Sequence, residues 1–117
     1  EGGPLPHARF SALWREYRYI AVRQKSPLLR GHAWHYTQPL DEEALPALAA
    51  GLLSHHDFAA FCKTGGSNQT TLCTLFISEW QNLDGPVWCY RVRANRFLRG
   101  MVRALVAAQL EAARHAR

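Results

Sequence analysis

Asp84-Gly85-Pro86-Val87-Trp88-Cys89-Tyr90-Arg91-Val92-Arg93-Ala94-Asn95, followed at once by Arg96-Phe97-Leu98-Arg99-Gly100-Met101-Val102-Arg103, is the stretch whose reading decides the fold. Asp-Gly between two runs rich in branched and aromatic residues is a strong hairpin signal, because the tight turns that match strand twist need positive φ. The pattern predicts strands over Thr70 to Trp80 and Pro86 to Asn95, with the turn at Asp84-Gly85. In the second strand Trp88, Tyr90, Val92 and Ala94 share one face, and Cys89, Arg91, Arg93 and Asn95 share the other. One face can pack a core while the other meets phosphate. A helix is then expected from Arg96 or Phe97 to near His115. Leu98, Met101, Val102 and Leu105 form its apolar stripe, with Arg96, Arg99 and Arg103 opposite.

Working outward, Phe10 to Val22 reads as a strand with apolar residues of both parities, as in a strand covered on both sides. Ser26-Pro27 breaks it, and Ala33 to Tyr36 fits a short strand. Asp41-Glu42-Glu43 opens a helix to about Leu53, since carboxylates suit the positive end of a helix dipole. Pro46 lies early enough to be tolerated in its first turns. Gly65-Gly66-Ser67-Asn68 reads as a loop. The order strand, short strand, helix, hairpin, helix is an α+β layer architecture.

The 117 residues fit one domain, and the net charge of +5 is unevenly spread. Six Lys/Arg lie in residues 1–30 and seven Arg in 91–117, whereas 31–90 carries Lys63 alone against six carboxylates. Both basic blocks fall on expected regular elements, which favours a shaped polyanion-binding face over a disordered arm. Tyr17 and Tyr19 alternate with Arg15 and Arg18, a pairing that suits base stacking plus phosphate contact, although two core tyrosines would read the same way. Cys62, Cys73 and Cys89 are odd in number and form no Cys-x-x-Cys, so free thiols are expected. His55-His56-Asp57 with Cys62 is better read as a turn closed by Asp57 than as a metal site. No stretch approaches the roughly 18 apolar residues of a membrane span, and no secretory signal is visible. A soluble cytoplasmic protein without membrane attachment is the expectation.

Two motifs resemble those of the tRNA pseudouridine synthase A family. The first is His7-Ala8-Arg9-Phe10-Ser11-Ala12 with Tyr17-Arg18-Tyr19; the second is Arg93-Ala94-Asn95-Arg96-Phe97-Leu98 with Met101-Val102-Arg103. Between them Leu52-Leu53, His56-Asp57-Phe58 and Phe61 match the family's middle signature, and Trp80 matches its aromatic strand end. The resemblance implies the C-terminal half of the pseudouridine synthase fold, a mostly antiparallel sheet with two helices on one face. It implies isomerisation of uridine to pseudouridine in the anticodon arm of tRNA, a homodimeric full-length protein, and no metal or small-molecule cofactor. Tyr17 matches the tyrosine that stacks on the target base, and Arg103 matches the arginine that pairs with the catalytic aspartate. Arg15, Arg18, Arg91, Arg93, Arg96 and Arg99 are then candidate RNA contacts.

Departures from the family pattern shape these expectations. The nucleophilic aspartate belongs to an upstream Arg-Thr-Asp motif, which is not in this sequence. Ser54 and Ala107 stand where Gly is frequent, and Cys73 where Arg is frequent. Residues 1–117 are accordingly read as the C-terminal domain of a longer enzyme. The alternative is a non-catalytic RNA-binding module.

Overall fold

The computed structural model describes residues 14–24, 34–62 and 70–116. At its centre the hairpin forms from β3, Leu75–Asp84, and β4, Val87–Ala94. Gly85 carries the positive φ of the turn, at +55°, and Pro86 completes a two-residue loop. The Asn82 amide donates to the carbonyls of Gly85 and Val87 and ties the loop to its own strand. β1, Arg15–Val22, pairs antiparallel with β4 along its whole length, and β2, Trp34–His35, pairs parallel with the end of β1. The sheet order is β2-β1-β4-β3, so one of its three pairings is parallel and the sheet is mostly antiparallel, as expected.

Both helices, α1 (Leu45–Gly51) and α2 (Met101–His115), pack on the same sheet face. That face presents Ala21, Tyr90, Val92 and Ala94, all fully buried, to Leu45, Ala49, Met101, Leu105 and Val106. A bulge keeps β3 in register with this core. Leu75 lies opposite Ala94 and Ile77 opposite Arg93, so Phe76 is the extra residue, pushed outward and half exposed. The parity then shifts, and Ser78 and Trp80 turn to the core. Two pairs of buried polar groups satisfy each other: Ser78 Oγ and Tyr90 Oη lie 2.6 Å apart, and Trp80 Nε1 donates to Gln109 Oε1 at 2.9 Å, whereas Trp88 Nε1 is buried without a hydrogen-bond partner among the described residues.

Several expected boundaries move, each for a local reason. The last helix starts at Met101 and not at Arg96 or Phe97, because Gly100 adopts a left-handed conformation with φ of +76°. Arg96 and Arg99 therefore precede the helix and do not share a helical stripe with Arg103. Asn95 closes the strand instead: its backbone N–H reaches Thr74 O, and its side chain accepts from Thr74 N. The helix expected over Asp41 to Leu53 is three pieces, with 3₁₀ turns at Glu42–Ala44 and Leu52–Ser54 flanking α1. Asp41 caps the first by accepting from Glu43 N, and Pro46 sits at the start of α1, where a missing N–H costs nothing. β1 is covered on both sides only at Ala21 and Val22; Tyr17 is 47% exposed. Phe10 to Leu13 and the Gly65–Asn68 loop lie outside the described residues.

Candidate active site and nucleic-acid interface

β1 sorts its residues by parity into two environments. Tyr17 and Tyr19 lie on the helix-side face, opposite Val92 and Tyr90 of β4. Glu16 and Arg18 lie on the other face, opposite Arg93 and Arg91.

On the helix side the exposed Tyr17 ring meets Phe97 edge-on, with centroids 4.9 Å apart and planes at 82°. Phe97 comes from the segment between β4 and α2, so the strand-to-helix junction buttresses the tyrosine and leaves its other surface to solvent. Two residues along, Tyr19 meets Trp34 of β2 edge-on at 6.3 Å. Its hydroxyl accepts from Arg103 Nη1 at 3.3 Å, and the Arg103 guanidinium lies 5.7 Å from the Trp34 ring centroid. The two residues singled out for catalysis, Tyr17 and Arg103, are thus on one side of the sheet, with Tyr19 between them. Arg103 is exposed and has no ion-pair partner among the described residues. Arg15, at the start of β1, and Arg99, beside Phe97, are also exposed and unpaired among the described residues.

The opposite face differs. Glu16, only 16% exposed, receives Arg91 at 3.1 Å, Arg93 at 2.7 Å and Arg18 at 3.1 Å. Arg91 also reaches Glu79 at 3.2 Å. Hydrogen bonds from Arg91, and then from Arg93, hold the Glu16 carboxyl down at a pKa of about 2. Three arginines against two carboxylates leave little net charge on this face. Trp14 stacks with Arg93, whose guanidinium carbon lies 4.1 Å from the ring centroid.

Arg96 belongs to neither face. Its Nη1 donates to the carbonyls of Thr70 and Leu72 at 2.8 and 2.9 Å, pinning the chain that leads into β3. It also touches Cys73 Sγ, whose thiol is pushed up by burial. The eight residues singled out from sequence therefore fall into three environments. Tyr17 and Arg103, with Arg15 and Arg99, stand on or beside the open helix-side rim. Arg18, Arg91 and Arg93 are ion-paired on the far face, and Arg96 is bonded to backbone.

Glu16, Tyr19 and Trp34 had no assigned part in the sequence reading, although Tyr19 was in view as a stacking or core residue. Glu16 alternates with Arg15, Tyr17 and Arg18 in a strand, but only the β1–β4 register puts it opposite Arg93 and beside Arg91. Among the titratable residues of the middle segment, Asp57 closes a turn as read, accepting from Ala59 N and Thr71 Oγ1. No helix of the described residues is long and apolar enough to cross a membrane.

The comparisons with known proteins agree in direction. A family model described as tRNA pseudouridine synthase matches residues 48–117. The chain is 44% identical over 108 residues to tRNA pseudouridine synthase A of Gloeobacter violaceus, covering 90% of this chain and 35% of that protein. It is 36% identical over 111 residues to the protein of the same name from Bacteroides fragilis, covering 95% of this chain and 44% of that one. With the Chlorobaculum tepidum protein of that name the identity is 43% over 105 residues, or 90% and 42% of the two chains. The chain thus spans less than half the length of these relatives.

Proposed function

The chain belongs to the tRNA pseudouridine synthase family, and from that premise we propose that it supplies the tyrosine and arginine side of an active site that converts uridine to pseudouridine in the anticodon arm of tRNA. The observation that carries the proposal is the helix-side rim, where exposed Tyr17, buttressed by Phe97, shares a sheet face with Tyr19, whose hydroxyl meets the exposed Arg103. In this reading the glycosidic bond is cleaved, the base turns, and it rejoins the sugar through carbon. The target nucleotide leaves its stack to reach the rim, and the free side of Tyr17 receives its flat face. Stacking is the role assigned to Tyr17, because its ring is half exposed and is held from one side by the edge-on Phe97.

Arg103 pairs with the aspartate of the upstream segment. A guanidinium beside a carboxylate keeps it ionised, and its planar fork fixes the carboxylate's orientation. Arg15 and Arg99 supply phosphate contacts beside the rim. Arg18, Arg91, Arg93 and Arg96 act on RNA chiefly by holding the sheet and the entry to β3 in shape. Homodimeric assembly and a cytoplasmic location belong to the same proposal.

The test is pseudouridine formation on tRNA by the full-length protein and by residues 1–117 alone. Product at anticodon-arm uridines from the full-length protein, and none from residues 1–117, is the expected result. Salt-dependent tRNA binding by both without product favours the non-catalytic RNA-binding module. Within the active protein, Tyr17→Phe is expected to retain tRNA affinity, because the ring is kept.

A further inference from the structure

We infer that Tyr19 and Trp34 are positioning residues that aim Arg103 at its carboxylate partner. The inference rests on the function proposed above and goes beyond the tyrosine and arginine assigned there. Arg103 lies in the first turn of α2 and its side chain is exposed. An arginine in that setting samples many rotamers unless something holds it. Two contacts do so. The Tyr19 hydroxyl accepts from Nη1 at 3.3 Å, and the Trp34 ring lies 5.7 Å from the guanidinium carbon. Tyr19 and Trp34 brace each other edge-on, so the two contacts form one unit.

That unit is anchored to the same helix it serves. Trp34 sits in β2, paired with Ala21 of β1, and packs edge-on against Tyr36 at 6.0 Å. Tyr36 donates its backbone N–H to Val22 O and its hydroxyl to Glu111 Oε2 at 2.8 Å. Arg103 and Glu111 are eight residues apart on α2, about two turns or 12 Å. β2 and Tyr36, the residue that follows it, therefore touch α2 at two points along the helix, which fixes the Trp34 ring relative to the Arg103 backbone.

The hydrogen-bond arithmetic favours a pairing role. A guanidinium has five N–H donors in a rigid plane. Tyr19 takes one at Nη1, which leaves the Nη2–Nε edge, the edge that grips a carboxylate through two parallel bonds. Neither Tyr19 nor Trp34 needs to touch the uridine for this effect.

Two measurements test the inference. In residues 1–117 labelled with ¹⁵N, the Arg103 Nε–Hε resonance, assigned through Arg103→Lys, is expected upfield of the other arginines because of the Trp34 ring current. Trp34→Leu removes that shift and Trp34→Phe keeps most of it; an Arg103 signal that Trp34→Leu leaves in place overturns the clamp. In the full-length protein Tyr19→Phe and Trp34→Leu are each expected to lower kcat about tenfold, the scale of a small misplacement of a catalytic group. KM for tRNA should stay within about twofold, and Trp34→Phe should restore most of the rate. In an Arg103→Lys background the same two changes should cost nothing further. Equal losses in both backgrounds mean that Tyr19 and Trp34 act on substrate or fold, and overturn the inference. If the unaltered protein makes no pseudouridine, the proposed function fails, and the clamp is decided by the Arg103 spectrum.

Discussion

The odd and even residues of β1 stand in two environments built from the same chemistry. Each has an aromatic ring and several arginines. On the even side, Glu16 collects Arg18, Arg91 and Arg93, and Glu79 adds a second carboxylate to Arg91. On the odd side no carboxylate among the described residues meets Arg103, and Arg15 is unpaired there as well. An arginine cluster is thus a closed ion-paired network or an unpaired edge depending on whether an acid is included. The presence of Glu16 decides it, not the number of arginines.

The strongest way to break this contrast is to remove one arginine from each side. Arg103→Ala in the full-length protein is expected to lower turnover by about 10²–10³-fold, the scale of losing one preorganised charged partner at the reacting centre. Arg91→Ala should leave turnover within a few-fold and act on the fold instead. Single-turnover pseudouridine formation, read beside thermal unfolding of each variant, separates the two. Comparable losses of turnover from both changes would erase the distinction between the faces.

Next in size is Glu16→Gln, which takes the acid out of the closed network. The side chain is mostly shielded and accepts several charged hydrogen bonds, so the loss should be roughly 1–2 kcal/mol after allowing for partial solvent screening. The pH dependence gives the sign. Glu16 has its carboxyl lowered from 4.5 to about 2 in the folded chain. A lowered folded value stabilises the native state above the unfolded value, and that contribution fades as pH falls from about 4.5 toward 2. Denaturant midpoints should therefore fall more steeply for the parent than for Glu16→Gln across that window, and parallel curves would remove Glu16 from the hub. The same variant takes the only carboxylate partner from Arg18 and Arg93 while Arg91 keeps Glu79, so its tRNA affinity should rise modestly at low salt.

Much of this architecture is legible in the amino-acid sequence. Alternation in Pro86 to Asn95 separated Tyr90, Val92 and Ala94 from Arg91 and Arg93, and the Asp84-Gly85 pair announced the hairpin. What was not legible depended on register and on single backbone dihedrals. Gly100 ends the strand-to-helix junction by adopting positive φ, and that removes Arg96 and Arg99 from the helix. A glycine inside an apparently periodic run carries no mark of which conformation it will take. Glu16 lies 75 residues from Arg91 and 77 from Arg93, so their meeting was set by cross-strand pairing that periodicity does not encode. The motif resemblance points to Tyr17 and Arg103 and not to Tyr19 and Trp34, because the contacts among Tyr19, Trp34 and Arg103 span β1, β2 and α2.

The smallest expected effects sharpen the contrast among the remaining arginines. Arg15→Gln and Arg99→Gln should each weaken tRNA binding by a few-fold and reduce the slope of log affinity against log salt by about one, the signature of one lost phosphate contact. Arg96→Gln should behave oppositely. It gives up two bonds to the Thr70 and Leu72 carbonyls, which at about 1 kcal/mol of net stability lowers the unfolding midpoint while leaving the salt slope unchanged. Filter binding across a salt series measures the slopes, and chemical denaturation measures the midpoints. A slope change for Arg96→Gln equal to that of Arg99→Gln would place Arg96 on the nucleic acid. An unchanged slope for Arg15→Gln would move the open edge toward α2, leaving Arg99 and Arg103 as its cations.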